Sequence, residues 1–504
     1  MWCNILITIR KEGRILKKIN QNKTPLFDAL KAYYERKVIP FDVPGHKHGK
    51  GLPELADYLG PKVLEIDVNA MECLDNICNP IGVIKEAEDL AAKAYGGEHA
   101  YFLVNGTSSG VQAMILSCCK PGDKIILPRN AHKSAISALI LSGAIPIYIQ
   151  PEISERLGIA MGVSIESVKN AIEEHPDAKA VFIINPTYYG AISDLQSIGA
   201  LAHQRGMVVL VDEAHGAHMH FHEEFPMGAI AAGADMSAIS IHKTGGSLTQ
   251  SSLLVLNSKK IAFESVKSVL NLTQTTSASY LLMTSLDIAR RQLATKGKEL
   301  LDGVLELARY GRNKINKIEG YYAFGKELIT TPGVYDFDES KLGINVKDIG
   351  LTGYEVERIL RTQYNIQVEI ADLSNILCII SLGDQKENID ALIEALRDIK
   401  GKYGKAQFKE IITPPLKNPE LIVSPRDAYY NLKRVVKLRD AIGEVSGESV
   451  MAYPPGIPVI TPGEKITEEI VEYIETLKEQ KSMLQGTEDP YVNYIKILGQ
   501  EPIG

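Results

Sequence analysis

Several features are missing from this 504-residue chain, and each gap removes a class of function. No stretch of about 18 uninterrupted apolar residues occurs, so the pattern predicts no transmembrane helix. Positive charge is not in excess: 55 Lys and Arg stand against 62 Asp and Glu, a net charge of −7. No global field would gather phosphate backbones, which argues against nucleic-acid binding. The six cysteines (Cys3, Cys73, Cys78, Cys118, Cys119, Cys378) have neither the paired CxxC spacing of zinc sites nor the density of a disulfide scaffold. They are read as reduced thiols of a cytoplasmic protein. Repeats and low-complexity tracts are absent. So is a phosphate-cradling Gly-x-x-x-x-Gly-Lys-Ser/Thr loop, since the nearest stretch, PGHKHGKG (Pro44 to Gly51), has the wrong spacing and no hydroxyl residue. The opening MWCNILITIRKEGRILKKIN places its apolar run before its basic residues, the reverse of a secretory signal, and residues 1–23 are read as a solvated extension.

What is present is a regular alternation. Apolar runs HAYFLVNG, DKIILPRN, IPIYIQP, AVFIINPT, MVVLVDEAH, MSAISIHK and SLLVLN are separated by helix-length segments such as TSSGVQAMILSCC, HKSAISALILSG, SIESVKNAIEEHP and SDLQSIGALAHQRG. Continuous Val/Ile/Leu strands between helices predict an α/β fold with a mostly parallel, doubly wound sheet. Ligands bind such sheets at the carboxyl ends of their strands, so the residues just after each run are the functional candidates. A long helical stretch over about residues 279–319 would connect this major domain, 24–310, to a smaller α/β domain, 311–404. The proline-rich FKEIITPPLKNPELIVSP predicts a linker over 405–425, and 426–504 would form a compact C-terminal appendage ending in a helix.

One stretch, VDEAHGAHMHFHEEF (Val211 to Phe225), bears three readings. Its Asp-Glu-Ala-His letters spell a helicase box, but such a box coordinates the magnesium of a nucleotide held by the loop that is missing here. His215, His218, His220 and His222 with Glu223 and Glu224 resemble metal ligands, yet no HExxH occurs and no metal site is expected. The third reading takes Asp212 as a carboxylate at a strand end, with Lys243 in SAISIHKTGGSLTQSS closing another strand. A pyridoxal phosphate enzyme needs both: the amine condenses with the cofactor aldehyde, and the carboxylate keeps the pyridine nitrogen protonated so that the ring accepts electrons. NGTSSG (Asn105 to Gly110) supplies a phosphate cup of glycines, hydroxyls and a helix N-terminus, and His132 in LPRNAHKSAI sits where a ring could stack on the cofactor.

These elements, with FDVPGHKHGKG, NPTYYG, LTQTTSASYLLMTSLD and YPPGIPVITPGE, resemble the bacterial ornithine/lysine/arginine decarboxylases of pyridoxal phosphate fold type I, above all the short biosynthetic arginine decarboxylases without an N-terminal wing domain. The resemblance spans the chain from about Thr24 onward. It implies a cytoplasmic homodimer or higher homo-oligomer that binds pyridoxal 5'-phosphate, with sites at the subunit interface, and that acts in polyamine biosynthesis. Carried over by motif, Lys243 would bind the cofactor covalently, Asp212 would pair with the ring nitrogen and His132 would stack. Thr107, Ser108, Ser240 and His242 would hold the phosphate, joined by Ser277 from the neighbouring subunit. His215 would sit near the reacting carboxylate, and Glu448 would meet the cationic end of a basic amino acid. Relatives often carry a histidine in the stretch equivalent to LDNICNP, where this chain has Cys78. Arginine ranks first as substrate, then lysine and ornithine, with a fold type I aminotransferase as the competing class. Replacement Asp212→Ala is expected to lower turnover far more than bound cofactor, because a neutral pyridine is a poor electron sink. Parallel loss of cofactor absorbance and activity would make Asp212 a binding residue only.

Overall fold

The computed structural model describes residues 20–404, 418–453, 457–479 and 482–499. Seven strands form the central sheet: β1 (His99–Leu103), β2 (Lys124–Pro128), β3 (Ile145–Ile149), β4 (Ala180–Ile184), β5 (Val208–Asp212), β6 (Met236–Ile239) and β7 (Ser252–Leu256). Their order is β1-β7-β6-β5-β4-β2-β3. Each corresponds to one apolar run of the sequence. Residues alternate between two buried faces: Leu127, Phe182 and Leu210 pack in one cluster, while Ile126, Val181 and Val209 pack in the other. With both faces covered, no position needs to be polar, which is why the strands read as unbroken Val/Ile/Leu.

The helices fall between the strands as the pattern requires. Those that place the cavity are α1 (Gly106–Cys118), which follows β1, and α2 (Lys133–Ser142), which follows β2. Gly110 lets α1 approach the sheet, because a Cβ there would lie 2.8 Å from Leu103 Cδ1 and 3.0 Å from Ala238 Cβ.

Strand β7 is the exception to the parallel arrangement, running antiparallel to both β1 and β6. The segment before it holds only the four helical residues Ile241–Thr244. At roughly 1.5 Å per residue such a turn cannot carry the chain back along a strand, as a parallel crossover demands. The chain therefore doubles back, and Lys243 sits in the connection.

The long helix α3 spans Tyr280–Ile315, so the boundary drawn at 310 falls within it. Beyond it, Tyr322–Ala323, Lys341–Asn345, Asn375–Ile379 and Ile370–Ala371 form a four-stranded sheet with antiparallel neighbours, next to helices Gly353–Gln363 and Lys386–Tyr403. The C-terminal part does not end at its helix Glu468–Glu479: the strand Tyr494–Leu498 returns to pair with Lys433–Lys437. Residues 1–19 of the expected extension and 405–417 of the expected linker lie outside the described residues. Just after each of them the chain is held: Arg290 Nη1 donates to the Gln21 carbonyl at 2.7 Å, and Asn418 Nδ2 donates to the Tyr148 carbonyl at 2.9 Å.

One ion pair fastens the C-terminal part to the end of β2. The Arg129 guanidinium donates to both oxygens of Glu464, to Oε2 at 2.9 Å, and to the Val459 carbonyl at 3.0 Å, and it lies 4.8 Å from the centre of the Tyr148 ring. The two side chains are 8% and 0% exposed. A buried pair is costly to break from one side, because the remaining charge keeps its desolvation penalty. Glu464→Gln is thus expected to lower the unfolding free energy by about 3 kcal/mol in denaturant titration. By contrast Arg434→Ala, which removes the exposed pair with Glu444, should cost less than about 1 kcal/mol.

Candidate active site

A cavity of about 530 Å³ opens at the carboxyl ends of the central strands, within the roughly 300–1,000 Å³ usual for ligand pockets. Its walls come from three parts of the chain: Thr107, His132, Asp212, His215 and Lys243 of the major domain, Tyr354 and Asp372 of the smaller one, and Pro458, Tyr473 and Ser482 of the C-terminal one.

At its centre Lys243 Nζ lies 2.7 Å from His215 Nε2 and 5.1 Å from the centre of the Tyr188 ring. Burial lowers the Lys243 pKa, and Lys341 lowers it further, against the opposing pull of Asp212 and Glu369. The Asp212 carboxylate, the last residue of β5, is 5% exposed. Burial raises its pKa, Lys243 counters this, and Oδ1 accepts from the Ala214 N–H at 3.2 Å. His215 is held well below the ordinary histidine value, first by burial and then by the charges of Lys243 and Lys341. As a neutral ring it can accept from the Lys243 amine at Nε2, and its buried Nδ1 has no hydrogen-bond partner. Its ring centre is 4.1 Å from that of Tyr188.

A hydroxyl cluster sits where α1 begins. Thr107 Oγ1 meets Ser240 Oγ and donates to Ser252 Oγ at 2.8 Å; Ser108 also lines the cavity. Gly106 has φ +73° with open space where a Cβ would stand. His242 donates from Nδ1 to the Ser251 carbonyl at 2.9 Å, which fixes its tautomer when neutral. His132 is at once the N-cap of α2, accepting from the Ser134 N–H at 3.2 Å, and a wall of the cavity. Accepting at Nδ1 leaves Nε2 to carry the ring proton.

These groups fit pyridoxal phosphate. The helix N-terminus with its hydroxyls and bare glycine suits a phosphate, the buried carboxylate suits a pyridinium, and the amine suits an aldehyde.

Two predicted site residues are not brought into this cavity. Ser277 is exposed, in a loop where its N–H donates to Thr275 Oγ1 at 3.2 Å. Glu448 accepts from the Glu488 and Lys496 N–H groups at 3.0 and 2.7 Å. Cys78 is half-buried, and its N–H donates to Asn76 Oδ1 at 2.9 Å. The four histidines of the stretch Val211 to Phe225 go separate ways: His215 to Lys243, His218 to Asp338, His220 to Glu213 and His222 to Asp302. Among the described residues no group of three or more His, Cys, Asp or Glu is placed to hold a metal ion, and no helix is long and apolar enough to cross a membrane.

Sequence reasoning missed Asp372, which lines the cavity from the small domain, and Lys341 and Asp338, which lie behind His215. A lysine that opens an apolar run reads as a solvated strand end, so no local signal marked it.

Comparison with known proteins agrees with this geometry. Residues 24–388 match the model of the Orn/Lys/Arg decarboxylase major domain, and residues 406–491 match that of its C-terminal domain. The chain is 46% identical over 488 residues to the arginine decarboxylase of Bacillus subtilis, covering 96% of this chain and 99% of that one. To the arginine decarboxylase of Halalkalibacterium halodurans it is 45% identical over 481 residues, 95% and 98% of the two chains. The crystal structure of the Francisella novicida lysine decarboxylase shares the fold, with TM-score 0.83 at 22% identity over 94% of this chain and 81% of that one.

The buried histidines give the cofactor-free protein a pH dependence. Burial and the Lys243 charge lower the His132 pKa to about 4. Between an unfolded value of about 6.5 and the folded value, the unfolded state binds more protons. Stability is therefore full above about pH 6.5 and falls as the pH drops toward 4, by about 3 kcal/mol from this residue alone. Urea titrations across that range should show the loss, and His132→Asn, which retains a capping side chain, should flatten it.

Proposed function

The chain belongs to the Orn/Lys/Arg decarboxylase family, and from that premise we propose that it binds pyridoxal phosphate through Lys243 and releases carbon dioxide from L-arginine, leaving agmatine for polyamine synthesis. The observation that carries this reading is the Lys243 amine, 2.7 Å from His215 inside a cavity that Asp212 also lines. When bound, the cofactor supplies an electron sink for the pair of electrons left at Cα by the departing carboxylate.

The chain's own residues do the rest. Thr107, Ser108, Ser240 and His242 hold the phosphate at the start of α1. Asp212 would hold the ring nitrogen's charge, and its burial would keep water from competing for it. His132, in the cavity wall, would lie against the ring. Lys243 would hold the cofactor, and His215 stands 2.7 Å from its Nζ, so either group is placed to move a proton at the reacting carbon.

The acidic residues lining this cavity, among those described, are Asp212 and Asp372. Asp372 is already occupied by the Tyr189 hydroxyl and by the N–H groups of Ser374 and Asn375, each at 2.8 Å. No spare carboxylate faces a guanidinium here. Its recognition is assigned to a second copy of the chain, with Glu448 as the candidate acid and Ser277 as a further phosphate contact. A homodimer also accounts for the exposed apolar side chains of Ile39, Phe41, Tyr58, Ile81 and Leu272, which are 78–94% accessible. The free thiols of Cys73, Cys78, Cys118, Cys119 and Cys378 suit a reducing cytoplasm.

The test is carbon dioxide release by the yellow holoenzyme from L-arginine, L-lysine and L-ornithine without any keto acid. Arginine should be preferred by at least about 10-fold in kcat/KM, since a site built for a planar, bidentate cation loses paired hydrogen bonds with an ammonium. Faster turnover of lysine would reassign the substrate, and absence of carbon dioxide here, with amino transfer once a keto acid is added, would reassign the reaction.

A further inference from the structure

Behind His215 lies a second set of charges that the functional reading does not use. Lys341 opens the strand Lys341–Asn345 of the smaller sheet, and its side chain is completely buried. Its Nζ lies 3.4 Å from the His215 carbonyl oxygen and 3.4 Å from Asp338 Oδ2. Asp338 is equally buried, and its Oδ1 accepts from the Ser340 N–H at 3.0 Å, from Ser340 Oγ at 2.7 Å and from His218 Nε2 at 3.2 Å. Gly190 gives this strand room, since a Cβ there would stand 2.9 Å from the Asp338 carbonyl oxygen and 3.0 Å from Lys341 Cγ. Gly190 closes the NPTYYG turn that also carries Tyr188, the ring against His215.

A fully buried ammonium is costly, and an apolar side chain of similar volume would fill the same space. Packing alone gives no reason for the charge. Its neighbours do: Lys341 opposes protonation of both His215 and Lys243.

We propose that Lys341 is a positioning residue for the reaction, holding the His215 main chain through its carbonyl and acting as a fixed buried cation that keeps the adjoining His215–Lys243 pair from taking up a further proton. The Lys243 nitrogen is then kept from holding an extra proton. This rests on the functional reading above. The groups facing the pair are Asp212 and Glu369, which favour its protonation, and His132, His218 and Lys341, which oppose it.

The test compares holoenzyme of wild type, Lys341→Met, Lys341→Arg and Asp338→Asn. The readouts are cofactor absorbance against pH, the pH profiles of kcat and KM, and the thermal midpoint. In K341M the absorbance transition and the acid limb of kcat/KM should rise by about half a pH unit or more, while K341R stays at the wild-type position. In D338N, where the cation loses its counter-ion, both should move down. Unmoved transitions in K341M, whatever its thermal midpoint, would leave Lys341 a structural residue only. If neither uncharged variant folds, wild type decides: a buried source is poorly screened, so a transition that moves between about 0.05 and about 0.5 M salt overturns the assignment. Wild-type protein that stays colourless with the cofactor would sink the functional reading and this assignment with it.

Discussion

The constraint on which this structure turns is the burial of an amine and a carboxylate in one cavity: Lys243 and Asp212 both line it at the carboxyl ends of the central strands. Burial penalises both charges, pushing one pKa down and the other up, and each partner offsets the other's cost. Asp212 ends β5, and the neighbouring β6, paired in parallel between Asp212 and Ala238, leads directly into the short helix Ile241–Thr244 that carries Lys243. Both groups thus sit on or next to regular elements, the kind of support that holds a geometry steadier than loops do.

Much of this was legible in the sequence, because the physics that writes the pattern is local. A strand buried on both faces must read as a continuous apolar run, so all seven central strands were visible. The reversal of β7 was not, since direction depends on how far the connection can carry the chain. Asp212, Lys243, Thr107 and His132, which the structure brings to one cavity, could be named as candidates because each ends or follows a strand. The small-domain contribution was hidden: Lys341 and Asp372 are distant in sequence from the reactive lysine, and nothing near either residue betrays the neighbour it meets. Glu448 lies outside the cavity of its own chain, each carboxylate oxygen accepting one main-chain N–H, so its sequence motif alone could not place it.

The Asp-Glu-Ala-His letters illustrate why a motif needs its structural context. Asp212 lines the cavity, whereas its neighbour Glu213 is fully buried elsewhere, accepting from Ser237 Oγ at 2.6 Å, the Ala229 N–H at 2.8 Å and His220 Nε2 at 3.1 Å. One acid serves chemistry and the next serves the turn that presents it. The histidines that follow are similarly divided, and it is their separate partners that decide against a shared ion.

The clasp between Arg129 and Glu464 ties two properties together. Arg129 precedes His132 by three residues, and the segment it grips supplies Pro458 and Val459 to the cavity wall. The same bond that anchors the C-terminal part therefore also sets one wall of the pocket, so loosening the anchor would widen the cleft around Lys243 and Asp212 before it touched either of them.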